Sequence, residues 1–236
     1  MPMRLRIQYE KLGPARFTSH RDVIRIFQRC FASCRIPVAY SEGFHPHMRL
    51  LFAPPLKTGW EGHEEYMDVH LDGLPGEIRD RCNERLPEGL RIKRVVALAE
   101  RAPKIASDVR AATIAVRVGA DDALGPCDAA ERVERIERLQ RRMREAFVES
   151  APVGDDSGEP RIVATSVEDR ADGVDFIYTT TMISGKVVGP VDVLERVIGD
   201  PSKLGVPPVV ARCSQFVERD GEFISPIDKG ALLNSS

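Results

Sequence analysis

The stretch Ser41-Glu42-Gly43-Phe44-His45-Pro46-His47 sets two of the chain's five histidines on either side of one proline. Three chemistries use such a group. His45 and His47, with His20 or His63 as a third nitrogen donor, would suit zinc. A histidine of near-neutral pKa, His20 or His47, could take the proton of a ribose 2′-hydroxyl, with Arg16, Arg21 and Arg49 stabilising phosphate charge. The same side chains, with the rings of Tyr40, Phe44 and Trp60, could instead hold a phosphodiester backbone and stack bases. The metal reading is weak, because H-x-H fixes only two ligands and the partners that would orient them cannot be identified. Glu42 is the best-placed group to orient a histidine. Glu64, Glu65 and Asp68 form a second acidic set, although such residues ordinarily lie on the surface.

The elements around these residues follow from pattern. If 45–51 is extended, His45, His47 and Arg49 point to one face. Pro46 cannot donate to a strand ladder and Gly43 marks a tight turn, so the group reads as an exposed loop entering an edge strand. Ser19-His20-Arg21-Asp22 has the form of a capping box, which starts a helix at Ser19. Its apolar face is Val23, Ile24, Phe27, Cys30, Phe31 and Cys34, and Pro37 ends it. Arg21, Arg25 and Arg29 recur every four residues and form one ridge on the other face. The candidate binding set is therefore Arg16, His20, Arg21, Arg25, Arg29, Tyr40, Ser41, Glu42, Phe44, His45, His47 and Arg49.

Charge supports an anionic partner. The chain of 236 residues carries a net charge of −2, yet residues 1–57 hold ten Lys+Arg against three Asp+Glu, while residues 105–236 hold 16 against 23. A basic first quarter beside an acidic second half suits nucleic acid at the first region. No apolar run reaches the ~18 residues of a membrane span. The N-terminus reads as a strand rather than a leader, so a cytoplasmic protein is expected. Five cysteines in no C-x-x-C pair fit reduced thiols. Cys30 and Cys34 lie on an apolar helix face, where small buried hydrophobes belong. The chain lacks G-x-x-x-x-G-K-[ST], G-x-G-x-x-G and G-x-S-x-G, so no cofactor is expected from motif.

The element order is β-α-β-β-α-β, twice. Strands are predicted at 3–9, 47–53, 65–71 and 90–98, with helices from Ser19 and over 76–86. A second set follows: strands 111–118, 161–167, 174–182 and 209–217, with helices over 128–148 and from Pro190. In the long helix, Val133, Ile136, Leu139, Met143 and Phe147 should face inward. In the last one Val191, Leu194, Val197 and Ile198 should do so. The fold class expected is α+β, as two tandem ferredoxin-like domains with antiparallel sheets. The first spans 1–104, a basic domain with the histidine loop; the second spans 105–236, an acidic domain and tail. The linker is placed at 101–109, 149–160 reads as a polar loop, and the tail from Ser225 shows no packing pattern.

FTSHRDVIRIFQR, PVAYSEGFHPHMRLLFAPPLKTG and EEYMDVHL resemble the N-terminal half of the radical SAM-linked bacterial proteins, and the closing VERDGEFISPID resembles their C-terminal end. Met48 stands where that family usually has proline. The resemblance implies a radical SAM protein, in some members cobalamin-binding, as partner, and no activity of the chain's own. Members lie near a ribonuclease of the E/G type, which implies RNA. The chain itself lacks the three-cysteine loop that holds a radical SAM cluster. The function expected is substrate recognition for a radical SAM enzyme, with tRNA or rRNA as substrate. A histidine-dependent RNA-cleaving or metal-dependent enzyme, and an adaptor docking on the radical SAM protein, are the alternatives.

Overall fold

The computed structural model describes residues 3–74, 76–149 and 158–228. The chain is α+β and divides into two compact units, Met1–Val109 with Ser214–Ser236, and Arg110–Cys213. In chain order the strands are β1 (Met3–Lys11), β2 (Leu50–Phe52), β3 (Glu61–Leu71), β4 (Leu90–Ala97), β5 (Val109–Gly119), β6 (Ile162–Arg170), β7 (Gly173–Thr181), β8 (Val209–Arg219) and β9 (Glu222–Ile224). The α-helices are α1 (His20–Ser33), α2 (Ile78–Asn83), α3 (Ile105–Asp108), α4 (Ala120–Leu124), α5 (Ala129–Arg144) and α6 (Pro190–Val197).

In the first unit β1 lies between β4 and β3, antiparallel to both, and the short β2 pairs antiparallel with β3. Leu5, Ile7 and Tyr9 of β1 and Val69 and Leu71 of β3 are buried with Val23, Phe27 and Phe31 of α1 and Ile78 of α2. This is the apolar face that strand alternation and helix periodicity both require. Tyr9 and Phe27 meet edge to face at 4.9 Å.

Helix α1 begins at the expected residue for the expected reason. Ser19 Oγ accepts from Asp22 N–H, and the Asp22 carboxylate accepts from Ser19 N–H. The Ser19 hydroxyl, donating to the Asp22 carboxylate at 2.6 Å, and then Ser19 N–H hold the Asp22 carboxyl below its ordinary pKa. Replacing Ser19 with alanine leaves helix donors unsatisfied, and urea unfolding should show a loss of about 1 kcal/mol.

The opposite face of β1 departs from the simple pattern. Arg6 is buried, and its guanidinium forks onto the Asp68 carboxylate at 2.7 and 3.1 Å. It also donates to Pro103 O and Pro226 O, while Asp68 accepts from Ile105 N–H. Arg219 and Asp108 form a second pair at 2.6 Å. The 101–109 segment is therefore no free linker: Ile105 is fully buried and α3 forms within it. The start of the tail is packed too, with Ile227 buried and Asp228 paired to Arg94. Contacts assign 105–109 and Ser214 onward to the first unit, where the sequence reading placed them in the second.

In the second unit β5, β7 and β6 are neighbours in that order, antiparallel, and β8 is next to β5. Ile136, Leu139, Met143 and Phe147 are buried as expected, but Val133 is exposed. Helix α6 buries Pro190, Val193, Leu194 and Val197. That i, i+3, i+4, i+7 stripe leaves Val191 about 100° off the face, and it is exposed. The predicted loop 149–160 and the tail beyond residue 228 lie largely outside the described residues.

Candidate nucleic-acid interface

The histidine stretch is the tip of a hairpin on the edge of the first unit. Tyr40 bridges antiparallel to Met48, and Ser41 N–H donates to His47 O at 2.9 Å. Gly43 turns the chain at φ +116°, a conformation that favours glycine, with no atom within 4 Å of where a Cβ would stand. Glu42, His45, Pro46 and His47 are exposed, and Phe44 is fully so.

His47 is oriented by Ser41 rather than by Glu42. Ser41 Oγ accepts from His47 N–H at 3.1 Å and lies 2.8 Å from His47 Nδ1. The ring has two tautomers here. Either Nδ1 accepts the Ser41 hydroxyl proton and Nε2 carries a proton, or Nδ1–H donates to Ser41 Oγ, with His45 O also at 3.5 Å, and Nε2 is an outward acceptor.

A cation group sits at the base of this hairpin, and three of its members were missed from sequence. Arg49 N–H donates to Ala39 O, and His70 N–H donates to Arg49 O at 3.2 Å. Arg4 is the cross-strand partner of His70 in β1. Burial depresses the pKa of His70 from its ordinary 6.5, and the charges of Arg49, Arg4 and Lys104 depress it further. Arg4 Nη2 donates to Ala102 O, while its Nε is buried without a hydrogen-bond partner among the described residues. Strand alternation would have shown that Arg4 and His70 share a face; only the pairing register makes them neighbours.

This depressed pKa has a pH consequence. An unfolded histidine takes up its proton near 6.5, and folded His70 does so only at lower pH. Stability linked to His70 is present above 6.5 and lost as pH falls through the folded value. The Arg49→Gln variant should raise the His70 pKa, read by NMR titration of its ring protons, and lessen that acid loss.

The predicted binding residues fall into three places. The hairpin gathers Tyr40, Ser41, Glu42, Phe44, His45, His47 and Arg49. Arg16 lies elsewhere: it pairs with Glu61 at 3.8 Å, stacks on Phe17, and accepts Gly59 N–H at its carbonyl, near Lys57 and Trp60. Eight positions of β3 separate Gly62 from His70, about 26 Å at ~3.3 Å per residue. His20 packs edge-on against Phe52 at 5.4 Å, within the aromatic group of Tyr9 and Phe27. Arg21, Arg25 and Arg29 are exposed on the outer face of α1, with Arg25 3.7 Å from Asp22. Since α1 covers the Leu5/Ile7 face, this ridge and the Arg4/His70 face lie on opposite sides of the sheet.

The structure does not gather the predicted metal ligands into one set. Among the described residues, no set of three or more His, Cys, Asp and Glu donors within 4.8 Å includes His20, His45, His47 or His63. Asp68 is committed to Arg6, Glu65 is buried, and Glu64 accepts from Tyr66 OH, so those three do not make a carboxylate site. The one such set is Cys30, Cys34 and Cys82, all buried.

Residues 4–154 match the family described as "Uncharacterized protein conserved in bacteria (DUF2344)". The chain belongs to that family. No curated protein matches it. Solved structures show low similarity. An unknown protein from Galdieria sulphuraria is 13% identical with a TM-score of 0.26, over 77% of this chain and 83% of that one. A mutant chlorite dismutase from Candidatus Nitrospira defluvii is 8% identical with a TM-score of 0.23, over 89% and 90%. The CRISPR endoribonuclease Cse3 bound to a 19-nucleotide RNA is 15% identical with a TM-score of 0.19, over 88% and 98%. Likeness of this size says nothing about function. No helix among the described residues is long and apolar enough to cross a membrane.

Proposed function

We propose that the chain is an accessory substrate-recognition protein that holds RNA, a tRNA or an rRNA, on the hairpin face of its first unit and presents it to a radical SAM enzyme. The observation that carries this reading is the fully exposed Phe44 at the tip of a hairpin whose base holds Arg49, Arg4, Lys104 and His70. An exposed ring offers a platform for an unpaired base, and the cations attract the phosphates on either side of it. In the tautomer with its proton on Nε2, His47 adds a donor held in place by Ser41. The basic balance of residues 1–57 agrees, although Arg6 is spent on Asp68. In the same reading each unit is a ferredoxin-like domain. The antiparallel neighbours β4-β1-β3-β2 of the first unit and β5-β7-β6 of the second support it. The radical SAM partner rests on the resemblance of the YSEGFHPH stretch, and the protein acts in the cytoplasm.

Tagged chain isolated from its native cells should carry RNA together with a radical SAM protein, both identified in one eluate. The Phe44→Ala variant should lose most of the RNA while keeping its fold, because Phe44 contributes no core packing. An eluate with the radical SAM protein and no RNA would instead support the adaptor reading, in which Phe44 docks into a pocket of the partner.

The 2.8 Å contact between Ser41 and His47 favours one other reading: with Nδ1–H donating to Ser41 Oγ, Nε2 is an outward base, and His47 would cleave RNA as general base. Purified chain would then cut RNA unaided, and His47→Ala would abolish cutting while binding survives.

A further inference from the structure

Cys30, Cys34 and Cys82 bring three sulfur atoms within 4.8 Å of one another between α1 and α2. Cys30 on α1 and Cys34 at its C-cap are one helical turn apart, and Cys82 faces them from α2. The three residues are buried, at 4%, 6% and 0% exposed. As thiols, Cys30 Sγ–H donates to Cys82 O at 3.6 Å and Cys34 Sγ–H to Arg81 O at 3.2 Å, bonds that loading with a metal would give up. We propose that these three cysteines form a mononuclear site for monovalent copper, held by three thiolates.

Four observations lead to that ion. Thiolate donors select soft metals. Donors on a single ion at about 2.3 Å would stand ~4 Å apart in a trigonal plane, inside the observed spread. A cubane iron–sulfur cluster places its cysteines on separate irons, farther apart than this. No other His, Cys, Asp or Glu joins the set among the described residues, and burial withholds water as a fourth ligand. Zinc, which takes four ligands in structural sites, is therefore poorly served, whereas monovalent copper accepts three sulfurs.

Charge agrees. Three thiolates and one monovalent copper carry a net charge of −2. The Arg81 guanidinium, which donates to Cys34 O, lies beside the set and offsets part of that charge. Loading releases three thiol protons and changes no oxidation state, so no oxidant or reductant is consumed.

The test loads the purified, fully reduced chain with monovalent copper under anaerobic conditions against a competing chromophoric chelator. One copper per chain should be retained, X-ray absorption should show three sulfur neighbours, and the thermal midpoint should rise on loading. Cys82→Ser should abolish retention, and Cys213→Ser, outside the set, should leave it unchanged. If Cys82→Ser does not fold, Cys34→Ala serves, and the sulfur count on the parent chain stands without either variant. Failure to retain copper, fewer than three sulfur neighbours, loss on Cys213→Ser, or preference for zinc with four ligands would overturn the proposal.

Discussion

Asp68→Ala should destabilise the chain by about 3–5 kcal/mol, because it strands a buried guanidinium. Arg6 and Asp68 are 1% and 0% exposed, so neither charge has solvent to fall back on. The carboxylate takes two bonds from Arg6 and one from Ile105 N–H, and Arg6 in turn holds the carbonyls of Pro103 and Pro226. One substitution therefore loosens the β1–β3 face, α3 and the start of the tail together. Urea unfolding should show the loss, and amide exchange should show it concentrated at 98–108 and 222–228. The double variant Arg6→Met with Asp68→Leu should lie closer to the parent than Asp68→Ala, because replacing both partners removes the stranded charge. A single variant as stable as the parent would remove this pair from its organising role.

Local signals made much of the fold legible. Ser19 and Asp22 specify the start of α1 by bonding each other, and Pro190 with Val193, Leu194 and Val197 specifies α6 and its inner face. What sequence hid is non-local. Arg6 alternates with Leu5 and Ile7, which ordinarily means solvent; here α3 and the tail cover that face, and only chain segments some 60 to 220 residues away satisfy the guanidinium. The same covering made 101–109 look like a linker. Cys30, Cys34 and Cys82 each sat on the inner face of a predicted helix, but their convergence depends on how α1 and α2 meet. At the histidine stretch, the exposed hairpin followed from Gly43 and Pro46. Its Ser41–His47 bond did not, since Glu42 was the stronger acceptor by type. Arg4, His70 and Lys104 come from three separate segments and needed the β1–β3 register to be seen with Arg49.

The second large effect is expected at that cation group. Replacing Arg4, Arg49 and Lys104 together with glutamine should weaken RNA binding on the order of 100-fold at low salt, since each phosphate contact releases a counterion on binding. Arg49 and Lys104 are exposed, so their replacement spares the core; Arg4 also holds Ala102 O, and the Arg49→Gln/Lys104→Gln double variant isolates the electrostatic part from that packing role. The double variant should show most of the loss. His47→Ala and Phe44→Ala act differently. They remove an imidazole contact and a stacking ring, so they should lower affinity with little change in salt dependence.

The most direct measurement is the slope of log affinity against log salt for a single-stranded RNA, compared across three proteins. For the parent the slope should be steep. For the Arg4/Arg49/Lys104→Gln variant it should be shallower by about 2, at ~0.7 per lost phosphate contact. For Arg21/Arg25/Arg29→Gln, on the outer face of α1, it should equal the parent's. A slope unchanged in the first variant and flattened in the second would put the RNA on the helix ridge. A parent chain that shows no salt-dependent binding at all would contradict RNA recognition by this face.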